Sequence, residues 1–140
     1  MRRKIMPEFH YRASDQRVVD ISDVLEDMVK GYLEAAMFTD SGDDMGISAG
    51  DVFSHSATIA AYSDCAAFLQ VSFGLLVDGE AANKLSYTEI GHNLWYTRNH
   101  HGTGFWDRGL GEAGEKLTNM SHAMGPACLY LGDDGRVYFG

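Results

Sequence analysis

"GHNLWYTRNHHGTGFWDRGLGEAG", residues 91–114, holds both tryptophans of the chain, three of its six histidines and six of its sixteen glycines. How this stretch is read decides the fold. Asn93–Arg98 combine β-favouring Trp, Tyr and Thr, and "GTGFWDR" carries a second aromatic pair beyond a glycine turn. The pattern predicts two short antiparallel strands joined by "NHHG".

The same stretch concentrates side chains with chemistry. His100 and His101 near Asp107 form a candidate acid–base set, with Arg98 and Arg108 available to hold an anion. Trp95, Arg98, His100, Trp106 and Arg108 together make a candidate ligand surface of stacking rings and cations. Adjacent histidines on an extended chain point to opposite faces, and no HxxxH, HExxH or CxxC spacing occurs, so no metal site is assigned. "GLGEAG" (109–114) matches a dinucleotide fingerprint, and Asp133 and Asp134 follow about twenty residues later. Against it, Glu112 and Glu115 would meet a pyrophosphate with like charge, and "FWDR" is too short and polar for a buried parallel strand. No cofactor is expected; the glycines read as turns and close packing.

Upstream, "DISDVLEDMVKGYLEAAMFTD" (20–40) repeats apolar residues every three to four positions, from Ile21 to Met37, and predicts a core helix capped by Asp20 or Ser22. Gly31 in its middle predicts close approach of another element. "TDSGDDMGISAGD" is loop composition. The Ala- and Ser-rich segment from Ser54 or Ser56 to Leu76 predicts a second, slim helix. "SYTE" at 86–89 is a capping box, and the helix it opens is expected to end at Gly91. "GEAGEKLTNMSHAMG" predicts a helix stopped by Gly125 and Pro126, and "ACLYLGDDGRVYFG" a terminal hairpin. The fold class is α+β: two or three N-terminal helices packed with a small antiparallel sheet and one further helix. Residues 1–140 read as a single domain with 1–12 as a flexible basic arm.

The net charge of −9 is unevenly placed. Residues 13–80 hold thirteen Asp/Glu against two Lys/Arg, a net −11, which disfavours direct nucleic-acid binding. An acidic face suits a basic partner instead, and Asp23, Glu26, Asp27, Glu34, Asp43 and Asp44 are the candidate partner-binding residues. No apolar run is read as the ~20 residues of a membrane span, so no membrane is expected. Cys65 and Cys128 stand in apolar contexts and read as buried reduced thiols of a cytosolic protein.

"TRNHHGTGFWDRG" (97–109), "LTNMSHAMG" (117–125) and "YLGDDGRVY" (130–138) together resemble a family of small bacteriophage and prophage proteins with a TRNxHGxGFWDRG core and a GDDG hairpin. The resemblance covers residues 86–140, with weaker similarity around "YSDCAAFL" (62–69); His100 stands where the family carries glycine. It implies a phage protein acting in the cytoplasm of a host bacterium. The expected function is a non-enzymatic inhibitor of a host protein or ribonucleoprotein complex, of the anti-CRISPR or anti-restriction kind, acting through the acidic half. The alternatives are a small ligand-binding protein or hydrolase built on residues 98–108, and a phage accessory or assembly protein. A homodimer is compatible with all three.

Overall fold

A computed structural model describes residues 10–12, 18–40, 46–48, 50–77, 81 and 84–140. In chain order these form strands β1 (His10–Arg12) and β2 (Val18–Asp20), helix α1 (Ile21–Asp40), α2 (His55–Val77), α3 (Tyr87–Arg98), a 3-10 turn at Phe105–Asp107, α4 (Glu112–Ala123), and strands β3 (Leu129–Leu131) and β4 (Val137–Phe139). The architecture is α+β: four helices with two separate two-stranded antiparallel ribbons, among the described residues. His10–Arg12, read from sequence as the end of a basic arm, pair with β2 in the register His10↔Asp20.

α1 begins where the Asp20 carboxylate accepts from the Ser22 amide at 2.9 Å, satisfying one of the unpaired donors of a helix start. One face of α1, including Val24, Met28, Tyr32 and Ala36, is sunk in the core. α2 starts in the same way, with Ser54 Oγ accepting from the Ala57 amide at 3.0 Å. By length and composition α2 would suffice to cross a membrane, which corrects the reading that no segment is apolar enough; one side of it packs into the core here.

α3 corrects the central expectation of the sequence. Its capping box is formed: Ser86 Oγ accepts from the Glu89 amide at 3.1 Å, and the Ser86 amide donates to Glu89 Oε1 at 2.9 Å. The helix does not end at Gly91, and Asn93–Arg98 are not a strand; the helix runs unbroken to Arg98. Gly91 is the crossing point with α1. A Cβ there would lie 2.0 Å from Met28 O, and one at Gly31 would lie 1.9 Å from Thr88 O. Each glycine lets the other helix's backbone approach, and burial of Ile90, Leu94 and Trp95 against α1 outweighs the β preference of the local sequence.

The second half of the expected hairpin is likewise absent. After α3 the chain reverses through His100, held at φ +58°, and "GFWD" closes into a single 3-10 turn. Phe105 points inward and stacks on Phe68 of α2 with ring centroids 5.8 Å apart, while Trp106 turns outward. α4 follows and stops at Gly125, φ +76°, before Pro126. The terminal hairpin forms in the register Leu129↔Phe139. It is joined to the start of α2, because the Ser54 amide donates to Val137 O and the Val137 amide to Val52 O. Phe139 then packs on Tyr32, Trp95 and Phe53, so the hairpin closes one end of the core.

Candidate functional site

The residues of the 97–109 block are placed one by one by their bonds. Thr97 Oγ1, fully buried, accepts from the Phe105 amide at 3.2 Å and ties the 3-10 turn to the end of α3. Arg98 is 5% exposed and joins four elements. Its Nη1 donates to Tyr32 Oη of α1 and to Asp64 Oδ2 of α2, each at 2.8 Å. Its Nε and Nη2 donate to the carbonyls of Gly125 (2.8 Å) and Met124 (3.2 Å), at the negative C-terminal end of α4. Asn99 Oδ1 accepts from the Ala127 amide at 2.7 Å and holds the exit of the same helix.

Gly104 sits under Trp106: a Cβ there would fall 2.2 Å from the indole and 2.4 Å from Thr97 Oγ1. Asp107 Oδ1 accepts from the Gly104 amide at 3.2 Å, and Thr103 Oγ1 donates to the same carboxylate. Arg108 donates to Asn93 Oδ1 at 2.9 Å and to Thr103 Oγ1 at 2.7 Å, and Gly109, φ +70°, gives its carbonyl to Lys84. The glycines of "GLGEAG" have mechanical duties as well. Gly111 turns the chain at φ +60° into α4, and Gly114 packs on the Phe105 carbonyl.

The candidate ligand set is therefore dispersed. Trp95 lies in the core, 1% exposed, with its indole N–H donated to Thr39 Oγ1 at 2.8 Å. Arg98 is enclosed by its four partners. Trp106 is half exposed on the outside of the corner, and Arg108 lies beside Asp107 at 3.7 Å. The candidate acid–base set does not converge either. His100 stacks on His122 at 4.4 Å, His101 meets the edge of Tyr96 at 6.0 Å, and Asp107 holds Gly104 and Thr103. Among the described residues no group of three His, Cys, Asp or Glu is placed to hold a metal ion. Arg98, read from sequence as available to an anion, is paired instead with the Asp64 carboxylate of α2.

Burial tunes two groups next to Arg98. It pushes the Tyr32 hydroxyl well above its usual range, the nearby guanidinium acting in the opposite sense. Burial does the same to the Cys65 thiol, helped by the Asp64 carboxylate. Both stay neutral and serve packing. Cys128, read from sequence as buried, is exposed because it precedes β3 on the outer side of the hairpin.

The surface offers more to a partner than this corner does. Asp23, Glu26, Asp27 and Glu34 are all exposed along the outer side of α1, Glu34 also meeting His92 at 3.1 Å. Asp43 and Asp44 lie outside the described residues. Beside Glu34 an open, mainly apolar groove of about 510 Å³ runs between α1 and the segment at Asp51 and Phe53 that leads into α2. Leu33, Met37 and Phe53 line it, Lys30, Glu34 and Asp51 rim it, and Phe38 stands over it 77% exposed. Val52, next along the chain from Asp51, is 67% exposed. Sequence reading passed over this groove; its signal was Phe38, which falls off the apolar face of α1. No family model, no curated protein and no solved structure matches the chain.

Proposed function

We propose that this chain is a phage-encoded binding protein that inhibits a host defence or nucleic-acid-processing complex, engaging a basic surface of it through the outer side of α1. The observation that carries the reading is the placement of four carboxylates, Asp23, Glu26, Asp27 and Glu34, exposed on a helix whose opposite face is buried. They extend over about 17 Å of one rigid rod. Charges held so cost little ordering entropy on binding and speed encounter with a basic partner. The neighbouring groove adds what electrostatics lacks, an exposed aromatic, Phe38, beside an apolar floor with a charged rim. That combination is typical of protein–protein contacts. The resemblance to phage proteins supports this setting, and His100, His101 and Asp107 point to separate partners, His122, Tyr96 and the Gly104 amide.

The experiment is capture of the partner from the bacterial host by tagged protein at low and high salt. A variant with Asp23, Glu26, Asp27 and Glu34 changed to their amides, and Phe38→Ala, are run alongside. The expected result is a nucleic-acid-processing or defence complex recovered at low salt, lost at high salt and lost with the amide variant. Recovery that ignores both salt and the amide changes overturns the reading.

A further inference from the structure

We infer that the outer edge of the terminal hairpin receives an extended, arginine-bearing segment of a partner protein, which pairs with β3 as an added strand and lays its guanidinium on Tyr130 beside Asp133. This surface is separate from the outer side of α1, and the inference stands or falls independently of that reading.

The backbone of the hairpin sets the edge. The Gly140 amide donates to Cys128 O and the Gly132 amide to Arg136 O, so in the register Tyr130↔Tyr138 it is Cys128, Tyr130 and Gly132 that bond toward β4. Leu129 and Leu131 therefore turn their backbone groups the other way, toward the outer edge. The Leu129 amide is taken by Asp40 Oδ2 at 3.2 Å. The carbonyl of Leu129 and both backbone groups of Leu131 are directed outward, the row that an added strand pairs with. On β4 the corresponding groups are already used within the chain, where Val137 bonds Val52 and Ser54.

The side chains at that edge select what the strand must carry. Tyr130 stacks on Tyr138 with ring centroids 5.4 Å apart and 15° between planes, and it is 47% exposed. Gly132 makes room for the Tyr138 ring, since a Cβ there would lie 2.4 Å from it. A residue opposite Tyr130 on an added strand sits in a non-hydrogen-bonded pair, where cross-strand side chains come closest. It lies against the face of Tyr130 that is turned away from Tyr138. Beside it is a hollow of about 540 Å³ lined by Tyr130, Leu131, Asp133 and Tyr138.

Charge decides which side chain fits there. Asp134 is committed to the turn, accepting from the Tyr138 hydroxyl at 2.7 Å and from the Arg136 amide at 3.0 Å. The Arg136 guanidinium offsets part of its charge. Asp133 is exposed and adds its carboxylate to the hollow. A ring face beside a carboxylate suits a cation, and a planar guanidinium stacks on the ring while its edge bonds the carboxylate. The net charge of −9 draws basic segments to the chain and repels acidic ones.

The test titrates acetyl-Thr-Val-Arg-Val-Thr-amide into the isotope-labelled full chain and follows its backbone amide resonances. The protein carries Asp23, Glu26, Asp27 and Glu34 changed to their amides, so that binding to the acidic side of α1 is not what is read. With peptide up to about 5 mM, saturable shifts are expected at Leu131 and its neighbours in β3. Replacing the peptide's Arg by Gln, or Tyr130→Ala in the protein, is expected to weaken binding about 10-fold. Asp133→Asn, at an exposed position, is expected to weaken it about 3-fold without changing the unfolding midpoint. Methylation of both Val amide nitrogens, which face β3 when Arg stands opposite Tyr130, is expected to abolish it. No shift in β3, or binding indifferent to the Gln peptide or to Asp133→Asn, would overturn the inference. So would β3 resonances that move with protein concentration alone, because the occupant would then be a second copy of this chain.

Discussion

Gly31 and Gly91 face each other's helices at the crossing of α1 and α3, each occupying the place where a Cβ would strike the opposing backbone within 2.0 Å. Neither clash involves the end of a flexible side chain, so relief requires the helices to part. Gly31→Ala or Gly91→Ala is therefore expected to destabilise the fold by about 3 kcal/mol, overriding the ~1 kcal/mol that alanine gains over glycine in a helix. Denaturant unfolding measures it; a neutral or stabilising alanine at either site would contradict the crossing.

His100 is the one residue other than glycine with positive φ among the described residues, at +58°. The left-handed conformation costs a side chain about 1 kcal/mol that glycine does not pay. His100→Gly is expected to raise stability by up to about that amount, the loss of the His122 stack offsetting part of it. A fall in the unfolding midpoint would show that the stack outweighs the backbone strain.

The capping box of α3 makes its start sensitive to acid. Hydrogen bonding from the Ser86 amide holds the Glu89 carboxyl below its ordinary range. A carboxylate whose folded value is depressed stabilises above its unfolded value, and that contribution fades as pH falls through the folded one. Glu89→Ala is expected to cost about 0.5–1 kcal/mol at neutral pH. The gap to wild type should close in acid below the usual glutamate range. A gap independent of pH would mean that the carboxylate does not cap the helix.

The two cysteines are expected to separate cleanly. Cys128 is exposed and Cys65 is buried with its thiol held neutral, so an aromatic disulfide reagent should titrate one thiol in the native protein and the second after unfolding. Two fast thiols would contradict the packing of α2 against Arg98 and Tyr32.

The sequence announced α1, α2, the Ser86 start of α3, α4 and the terminal hairpin through apolar period, caps and turn glycines, all of them local signals. It misled between residues 92 and 107. Trp95, Tyr96 and Thr97 favour strands, and the helical spacing of Tyr87, Ile90, Leu94 and Trp95 was masked by a glycine at 91 that is there for α1, a long-range reason. Arg98 looked like an anion binder because its partners, Tyr32, Asp64 and the end of α4, lie 26 to 66 residues away in sequence. The acidic face was legible as charge, whereas the groove under Phe38 depends on how the chain returns at Phe53.

The central claim is that the 97–109 block is a structural corner organised by Arg98, which ties α3 to Tyr32, Asp64 and the end of α4. Denaturant unfolding of Arg98→Ala tests it most directly. Truncation strands Tyr32 Oη and two carbonyls and unpairs Asp64, so the expected loss is about 3 kcal/mol or more, with Arg98→Lys recovering less than half because it lacks the fork. An Arg98→Ala protein within ~0.5 kcal/mol of wild type would contradict the account and return the block to the status of a ligand site.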